Sequence, residues 1–166
     1  DADPELYGGL QNTFRYKNAF FSIFFNYSLG GDMYYPGGMF NMTGVYLNNQ
    51  HELMVNRYHE VRNPDSDVPR TDSKDDVPND RFVYDASFLR LKAASVGYTF
   101  DLAKITASKL KSLALSINGN NLMLLKNYVG YDPEVNTSGT SSTLRRVDNG
   151  SFPPNRTITF TAELKF

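Results

Sequence analysis

The last nine residues alternate strictly between two kinds of side chain. Every second position is apolar, and the positions between are threonine, glutamate or lysine. Only a β-strand places alternate side chains on one face, so the pattern predicts a strand with one apolar and one polar face. The chain is thereby constrained to a β-rich fold whose apolar face meets either a second layer or lipid. The apolar positions are Ile158, Phe160, Ala162, Leu164 and Phe166.

Similar alternation predicts four more strands upstream. In the segment 87–100 the apolar parity changes between Leu91 and Val96, which predicts a β-bulge near Lys92–Ala94. The apolar positions are Leu10, Phe14 and Tyr16 in the first strand, Phe21, Ile23, Phe25, Tyr27 and Leu29 in the second, Leu89, Leu91, Val96, Tyr98 and Phe100 in the third, and Leu113, Leu115 and Ile117 in the fourth.

The connections between these strands are alternately short and long. A tight turn is expected at Lys17-Asn18 and a short link at 101–109, whereas roughly 30–80 and 123–154 are much longer than ordinary loops. Tight periplasmic turns and long extracellular loops in alternation are typical of outer-membrane β-barrels. A short helix is predicted within the first long loop, in 41–61.

Composition excludes several other classes of protein. No apolar run approaches the roughly 20 residues of a membrane-spanning helix. The formal net charge is −1, from 17 basic and 18 acidic residues, so nothing indicates a nucleic-acid partner. Cysteine is absent, which excludes a disulfide framework and thiolate metal sites within these residues.

Five strands are too few to close a membrane barrel. An unpaired strand edge in hydrocarbon leaves backbone groups without hydrogen bonds, and small natural barrels use about eight strands. Either several copies of this chain build one barrel, or the remaining strands belong to further sequence of the same protein. The second alternative is favoured.

Four segments of the chain resemble segments of one protein family, and they occur in the same order as in that family. They are Asp3 to Asn18, Ser87 to Phe100, Asn118-Gly119-Asn120-Asn121-Leu122 with Gly130 to Val135, and the terminal strand that closes on Phe166. Together they resemble SusC/RagA-type TonB-dependent transporters.

The resemblance implies an all-β, antiparallel transmembrane β-barrel segment, supplying five of about 22 strands, with long extracellular loops. Residues 1–166 would be the C-terminal part of the barrel, with the plug and earlier strands outside this sequence. It also implies an outer-membrane location in a Gram-negative bacterium and contact with membrane lipid. The expected partners are the rest of the transporter, a SusD-like surface lipoprotein acting as a lid, and TonB through an N-terminal part. Oligosaccharides or peptides would be the imported substrates, and no cofactor is implied.

Two sets of residues are candidates for function. Tyr34, Tyr35, Phe40 and Tyr46 in the first long loop, and Tyr131 in the second, are candidates for contact with substrate or lid, although an interfacial aromatic belt or loop packing is favoured. Phe160, Ala162, Leu164 and Phe166 read as the signal by which barrel proteins are recognised for assembly, the alternative being an ordinary amphipathic strand.

Other polar residues carry no recognisable chemistry. The loop acids lack the spacing of a calcium-binding loop, and His51 and His59 lack companion ligands, so no metal site is predicted. Catalytic motifs are absent, and an enzyme is not expected. The acids concerned are Asp65, Asp67, Asp72, Asp75, Asp76 and Asp80.

Two alternatives stay open on the sequence. A secreted β-sandwich that binds glycans would also alternate, but its apolar side chains, among them Phe21, Ile23, Ile158 and Leu164, would be buried. A passive porin would share the exposed apolar face and lack a plug.

Overall fold

A computed structural model describes residues 1–44, 47–70, 78–102, 110–139 and 145–166. Within them, five long strands form one antiparallel sheet in the order β1-β2-β5-β6-β7, and β3 pairs with β4 in a small second sheet. The all-β, antiparallel fold class is confirmed, with the five long strands where alternation predicted them. The strands are β1 (Leu6–Tyr16), β2 (Ala19–Leu29), β3 (Asp32–Tyr34), β4 (Val83–Asp85), β5 (Phe88–Asp101), β6 (Ser112–Lys126) and β7 (Thr157–Lys165).

The strand register collects the alternating residues of the five-stranded sheet into two distinct faces. Directly paired residues point to the same side of a sheet, so each row of partners belongs to one face. We call these the apolar face and the polar face. One apolar row is Phe14, Phe21, Val96, Ile117 and Phe160, and the adjacent polar row is Thr13, Ser22, Ser95, Asn118 and Thr159.

The predicted bulge in the third long strand is confirmed. The pairing of β5 with β6 shifts between Leu91 and Ala93, and its pairing with β2 shifts at the same level. The extra residue, Lys92, changes the parity of β5, so that both Leu91 and Val96 lie on the apolar face. In β6 the irregularity falls at Asn121, whose φ is 53°. The bulge therefore preserves a continuous apolar face across a change in sequence phase.

The predicted tight turn joins β1 to β2 at Lys17 and Asn18. Lys17 adopts a positive φ of 52°, and Tyr16 pairs with Ala19 across the turn. The Asn18 side chain donates to the Thr99 carbonyl at 2.8 Å, and its own carbonyl accepts from the Thr99 amide at 2.9 Å. These two bonds fix the turn to the end of β5.

A glycine on the polar face accommodates an aromatic ring from the neighbouring strand. Gly97 pairs with Phe20, and a Cβ added at Gly97 would lie 2.3 Å from Phe20 Cε1. The space that a side chain would fill at this position is thus occupied by the Phe20 ring. Any larger residue at position 97 would collide with this ring, so the close approach requires glycine.

The long connections form a second compact unit, which we call the loop unit: residues 1–4, 30–86 and 127–153. Its core contains two clusters, Met39, Met42, Met54 and Phe82 in one and Met33, Ala86 and Tyr128 in the other. A 3-10 helix (Glu52–Asn56) lies within 41–61, where a short helix was predicted. It is preceded by α1 (Gly37–Asn41), and a second 3-10 helix lies at Asp80–Phe82. No described helix has the length and apolar character needed to span a membrane.

Candidate functional site

The apolar face of the sheet is exposed on every long strand. Phe14 is 60% exposed, Ile117 44% and Phe160 76%, and these three lie in one row of paired residues. Monomeric soluble proteins rarely expose a contiguous apolar patch of more than a few hundred Å². A face of five strands that exposes its large apolar side chains is suited to contact with lipid or with another apolar surface.

The same exposures decide between a sandwich and a lipid-facing sheet. Phe21, Ile158 and Leu164, which a sandwich would bury, are 41%, 60% and 51% exposed, and Ile23 is half-buried. The β-sandwich alternative is therefore not supported by the described residues.

Both outer strands of the sheet present an open edge. Within the part of the chain that the structure describes, β1 has only β2 as a neighbour and β7 has only β6. Every residue of β7 is exposed, as are all residues of β1 except Gly8. Long, regular, apolar edges of this kind are unstable unless another strand pairs with them. Each of these edges therefore offers backbone groups with which a further strand can pair.

The polar face has a middle band of hydroxyl and amide groups. Thr13 and Ser22 share a hydrogen bond of 3.0 Å between their hydroxyl oxygens. Asn118 donates to the Ser116 hydroxyl at 3.3 Å, so adjacent positions of one strand are linked in the same way. Such a surface suits contact with water or with polar groups. The register also places Thr159, Glu163 and Lys165 on this face, as their parity predicted.

Two of the candidate aromatic residues are held in packing contacts of the loop unit. The Tyr34 hydroxyl donates to Met39 Sδ at 3.1 Å, and its backbone pairs with Arg146 and Asp148. The Tyr35 ring meets the Tyr128 ring edge-on, with 6.2 Å between ring centres. Burial raises the pKa of Tyr35, and the nearby Asp148 carboxylate raises it further. These contacts account for both residues as parts of the loop-unit core.

The other aromatic candidates differ in exposure. Phe40 is half-buried at the end of α1, where its carbonyl accepts from Gln50 Nε2 at 3.4 Å. Tyr46 lies outside the described residues. Tyr131 is 76% exposed, although the adjacent Asp132 is buried and accepts from the Glu134 amide at 2.9 Å. Tyr131 is thus an exposed aromatic side chain on a firmly anchored turn.

A buried pair that sequence reasoning did not single out organises the second long loop. The Tyr128 hydroxyl donates to Asp148 Oδ2 at 2.8 Å, and Asp148 Oδ1 accepts from the amides of Gly150 and Ser151, both at 3.0 Å. Tyr128 is 3% exposed and Asp148 1%. The Asp148-Asn149-Gly150 triplet is a turn signal, but only the fold reveals its tyrosine partner.

This pair gives the loop unit a predicted sensitivity to alkali. Burial raises the pKa of Tyr128 well above the usual 10.0, and the hydrogen bond to Asp148 and its negative charge raise it further. A raised folded-state pKa means that the stabilisation is complete below pH 10 and is lost as the pH rises towards the folded-state value. We expect Tyr128→Phe to weaken this alkaline dependence and to cost about 1.5–3 kcal/mol at neutral pH, because a hydrogen bond to a charged acceptor is lost.

The measurement is the rate of proteolytic cleavage within 127–153 between pH 8 and pH 11. Tyr131→Phe is the matched control, since its side chain is exposed. An unchanged alkaline dependence in Tyr128→Phe would contradict the prediction.

The described histidines and acids of the first long loop are not arranged as a metal site. Among the described residues, no group of three histidine, cysteine or acidic side chains is arranged to hold a metal ion. His51 Nδ1 accepts from the Leu53 amide at 3.2 Å and His59 Nδ1 from the Val61 amide at 3.2 Å, so both imidazoles stabilise local turns. Asp65, Asp67 and Asp80 are exposed, whereas Asp72, Asp75 and Asp76 lie outside the described residues.

No protein-family model matches the chain. Over its whole length the chain is 33% identical to TonB-dependent receptor P3 of Formosa agariphila. Over 98% of its length it is 30% identical to TonB-dependent receptor P26 of the same bacterium. Among solved structures, it is similar to a chain of the RagAB peptide importer in the open-open state, with a TM-score of 0.83 over 99% of its length at 23% identity. In the closed-closed state of that importer the TM-score is 0.77 over 98% of the chain.

The chain spans 17% of the length of each of these relatives and of each of these solved chains. The likeness therefore covers nearly all of the residues described above and a minor part of each relative. It extends across both the five-stranded sheet and the loop unit.

Proposed function

The chain is homologous over its full length to TonB-dependent receptors, and from this premise we propose that it forms one side of the barrel of an outer-membrane nutrient importer. The observation that carries the proposal is the exposed apolar face, which extends over all five long strands and is backed by a polar face. In a bilayer this face contacts acyl chains, and the polar face lines the interior. Relatives named as receptors favour import over an enzymatic reaction.

The orientation follows from the connections. The tight turn at Lys17-Asn18 lies on the periplasmic side, and the loop unit forms part of the extracellular entrance. In bacterial barrels the short turns are periplasmic and the long loops extracellular. Residues 1–166 thus act as a barrel segment, with a plug and further strands supplied by the remaining sequence of the transporter.

The proposed substrates are oligosaccharides or peptides, and a SusD-like lipoprotein is the proposed extracellular partner. Support comes from the similar solved structure, which is a chain of the RagAB peptide importer. Energy would come from TonB through a part of the transporter outside this chain. The apolar side of β7, formed by Phe160, Ala162, Leu164 and Phe166, is proposed to serve as the assembly signal.

Cysteine labelling tests the proposed membrane contact directly. The chain contains no cysteine, so Phe160→Cys and Thr161→Cys in the full-length transporter report on neighbouring positions of opposite faces. We expect neither a lipid-soluble nor a water-soluble maleimide to label Phe160→Cys in membranes, because acyl chains cover the site and keep the thiol protonated, whereas maleimides react with the thiolate. Thr161→Cys, on the hydrated face, is expected to react with the water-soluble maleimide. Labelling of Phe160→Cys from water alone, in membranes that hold the folded transporter, would contradict the proposal.

Tyr131 is the best-placed candidate for contact with substrate or lid. An exposed aromatic ring on an anchored turn loses little side-chain entropy on binding. Such residues often contribute more than about 1 kcal/mol to the free energy of binding. We expect Tyr131→Ala to weaken binding of lipoprotein or substrate about tenfold with unchanged folding. Val61→Ala, at another exposed position of the loop unit, is the control. Equal binding by the two variants, measured by calorimetry on the purified transporter, would remove Tyr131 from the site.

A further inference from the structure

A groove crosses the apolar face near the end that carries the short turn. Its volume is about 570 Å³. The intervening residues, such as Gly97 and Ser116, belong to the polar face, so backbone forms the floor of the groove. Alanine at both ends leaves room that larger residues would fill. The apolar side chains lining it are Ala19, Val96, Tyr98, Leu115, Ile117, Phe160 and Ala162.

A lysine stands at the β2 end of this groove. Lys17 Nζ lies 5.3 Å from the centre of the Tyr16 ring. Tyr16 is on the apolar face and pairs directly with Ala19, which lines the groove. The ammonium group is therefore on the apolar side of the sheet, next to the opening.

A second lysine lies at the same end of the sheet. Lys111 is exposed and immediately precedes β6, with the parity of Leu113 and Leu115 on the apolar face. Its amide donates to the Lys165 carbonyl at 2.7 Å, which fixes the backbone there. The acidic residues of the described strands at this end, Asp101 and Glu163, have the parity of the polar face. Two lysines, Lys17 and Lys111, therefore lie at this end of the sheet.

We propose that this groove binds a phospholipid of the adjacent leaflet, with one acyl chain in the groove and the anionic phosphate beside Lys17 and Lys111. The proposal rests on the proposed function, since it requires the apolar face to contact lipid. An apolar channel with the Lys17 ammonium group beside one end matches an amphiphile with an apolar chain and an anionic head. A sheet face that only excluded water would need neither the groove nor a lysine beside it.

The test uses the full-length transporter in detergent, with phosphatidylglycerol or phosphatidylcholine added and bound lipid counted by native mass spectrometry. We expect phosphatidylglycerol binding to fall about fivefold in K17Q and about 30-fold in K17Q/K111Q, because each lysine near an anionic head contributes a similar factor. Ala162→Phe, which fills one end of the groove, should lower the binding of both lipids. Ala19→Phe fills the other end and serves if the first variant does not fold.

Matched controls lie at the same end of the sheet. K165Q removes a lysine that has polar-face parity, and Leu113→Phe enlarges an apolar-face residue that does not line the groove. Both should retain lipid at the unmodified level. Equal losses of bound lipid in the controls and in the groove variants would overturn the proposal. So would a second copy of the protein that stays bound to the unmodified transporter and is released by Ala162→Phe. If Phe160→Cys is protected from maleimide in membranes while the lysine variants retain phosphatidylglycerol, the lipid site fails and the proposed function stands.

Discussion

Arginine in place of Ile117 should destabilise the barrel that contains this sheet by about 2–4 kcal/mol. Ile117 lies in the middle of the apolar face, paired with Val96 and Phe160, and is 44% exposed. A charge at this depth must be transferred from water to the middle of the hydrocarbon layer, and no acidic partner stands in its row. The measurement is urea unfolding of the full-length transporter in phospholipid vesicles.

The neighbouring position provides the control. Asn118 belongs to the adjacent row of the polar face, so Asn118→Arg adds the same side chain on the opposite side of the same strand. In the proposed orientation this arginine reaches a hydrated interior, and a change of less than about 0.5 kcal/mol is expected, as for other surface substitutions. Equal destabilisation by the two variants would contradict a lipid-facing assignment of the apolar face.

The strands could be predicted from sequence because two different environments act on alternate residues. In each strand the apolar residues occupy alternate positions, and the fold brings one such residue from each strand into a single row. This row includes Phe14, Phe21, Ile117 and Phe160. Even the bulge was visible, because the apolar parity of β5 had to change for both halves to face the same way. The local periodicity thus predicted which residues share each face of the sheet.

Long-range packing was not visible in the same way. Phe20 lies on the polar face because Gly97, on another strand, leaves room for its ring. Asp148 looked like an ordinary turn residue, yet it accepts from Tyr128, which is 20 positions away. Such pairs depend on the tertiary fold, and nothing in the neighbouring residues indicates them.

The loop aromatic residues show the same limit. Tyr34 and Tyr131 looked equivalent as candidates for contact with substrate, since each stands in a long loop with other aromatic residues nearby. The fold separates them, because Tyr34 packs against the methionine cluster and Tyr131 is 76% exposed. Exposure within a folded loop depends on which core forms, and a loop has no periodicity from which to predict it.

The fold of the loop unit should depend on one buried ring. Phe82 is 0% exposed and packs with Met39, Met42 and Met54, while a Cβ added at Gly38 would lie 2.5 Å from its Cδ1. Replacement of such a residue by alanine typically costs about 3–5 kcal/mol, since transfer free energy is lost and a cavity remains. We expect Phe82→Ala to accelerate hydrogen exchange of amides in the loop unit by at least about 150-fold.

The Tyr35 and Met42 amides are suitable reporters, because they donate to the carbonyls of Phe82 and Gly38 at 2.8 and 2.7 Å. Phe152→Ala is the matched control, as it removes the same ring from a position of the loop unit that is 97% exposed. Exchange at these amides should be unchanged in the control, because the lost ring contributes no core packing. If Phe152→Ala accelerated exchange as much as Phe82→Ala, the methionine cluster around Phe82 would not be the core that holds the loop unit together.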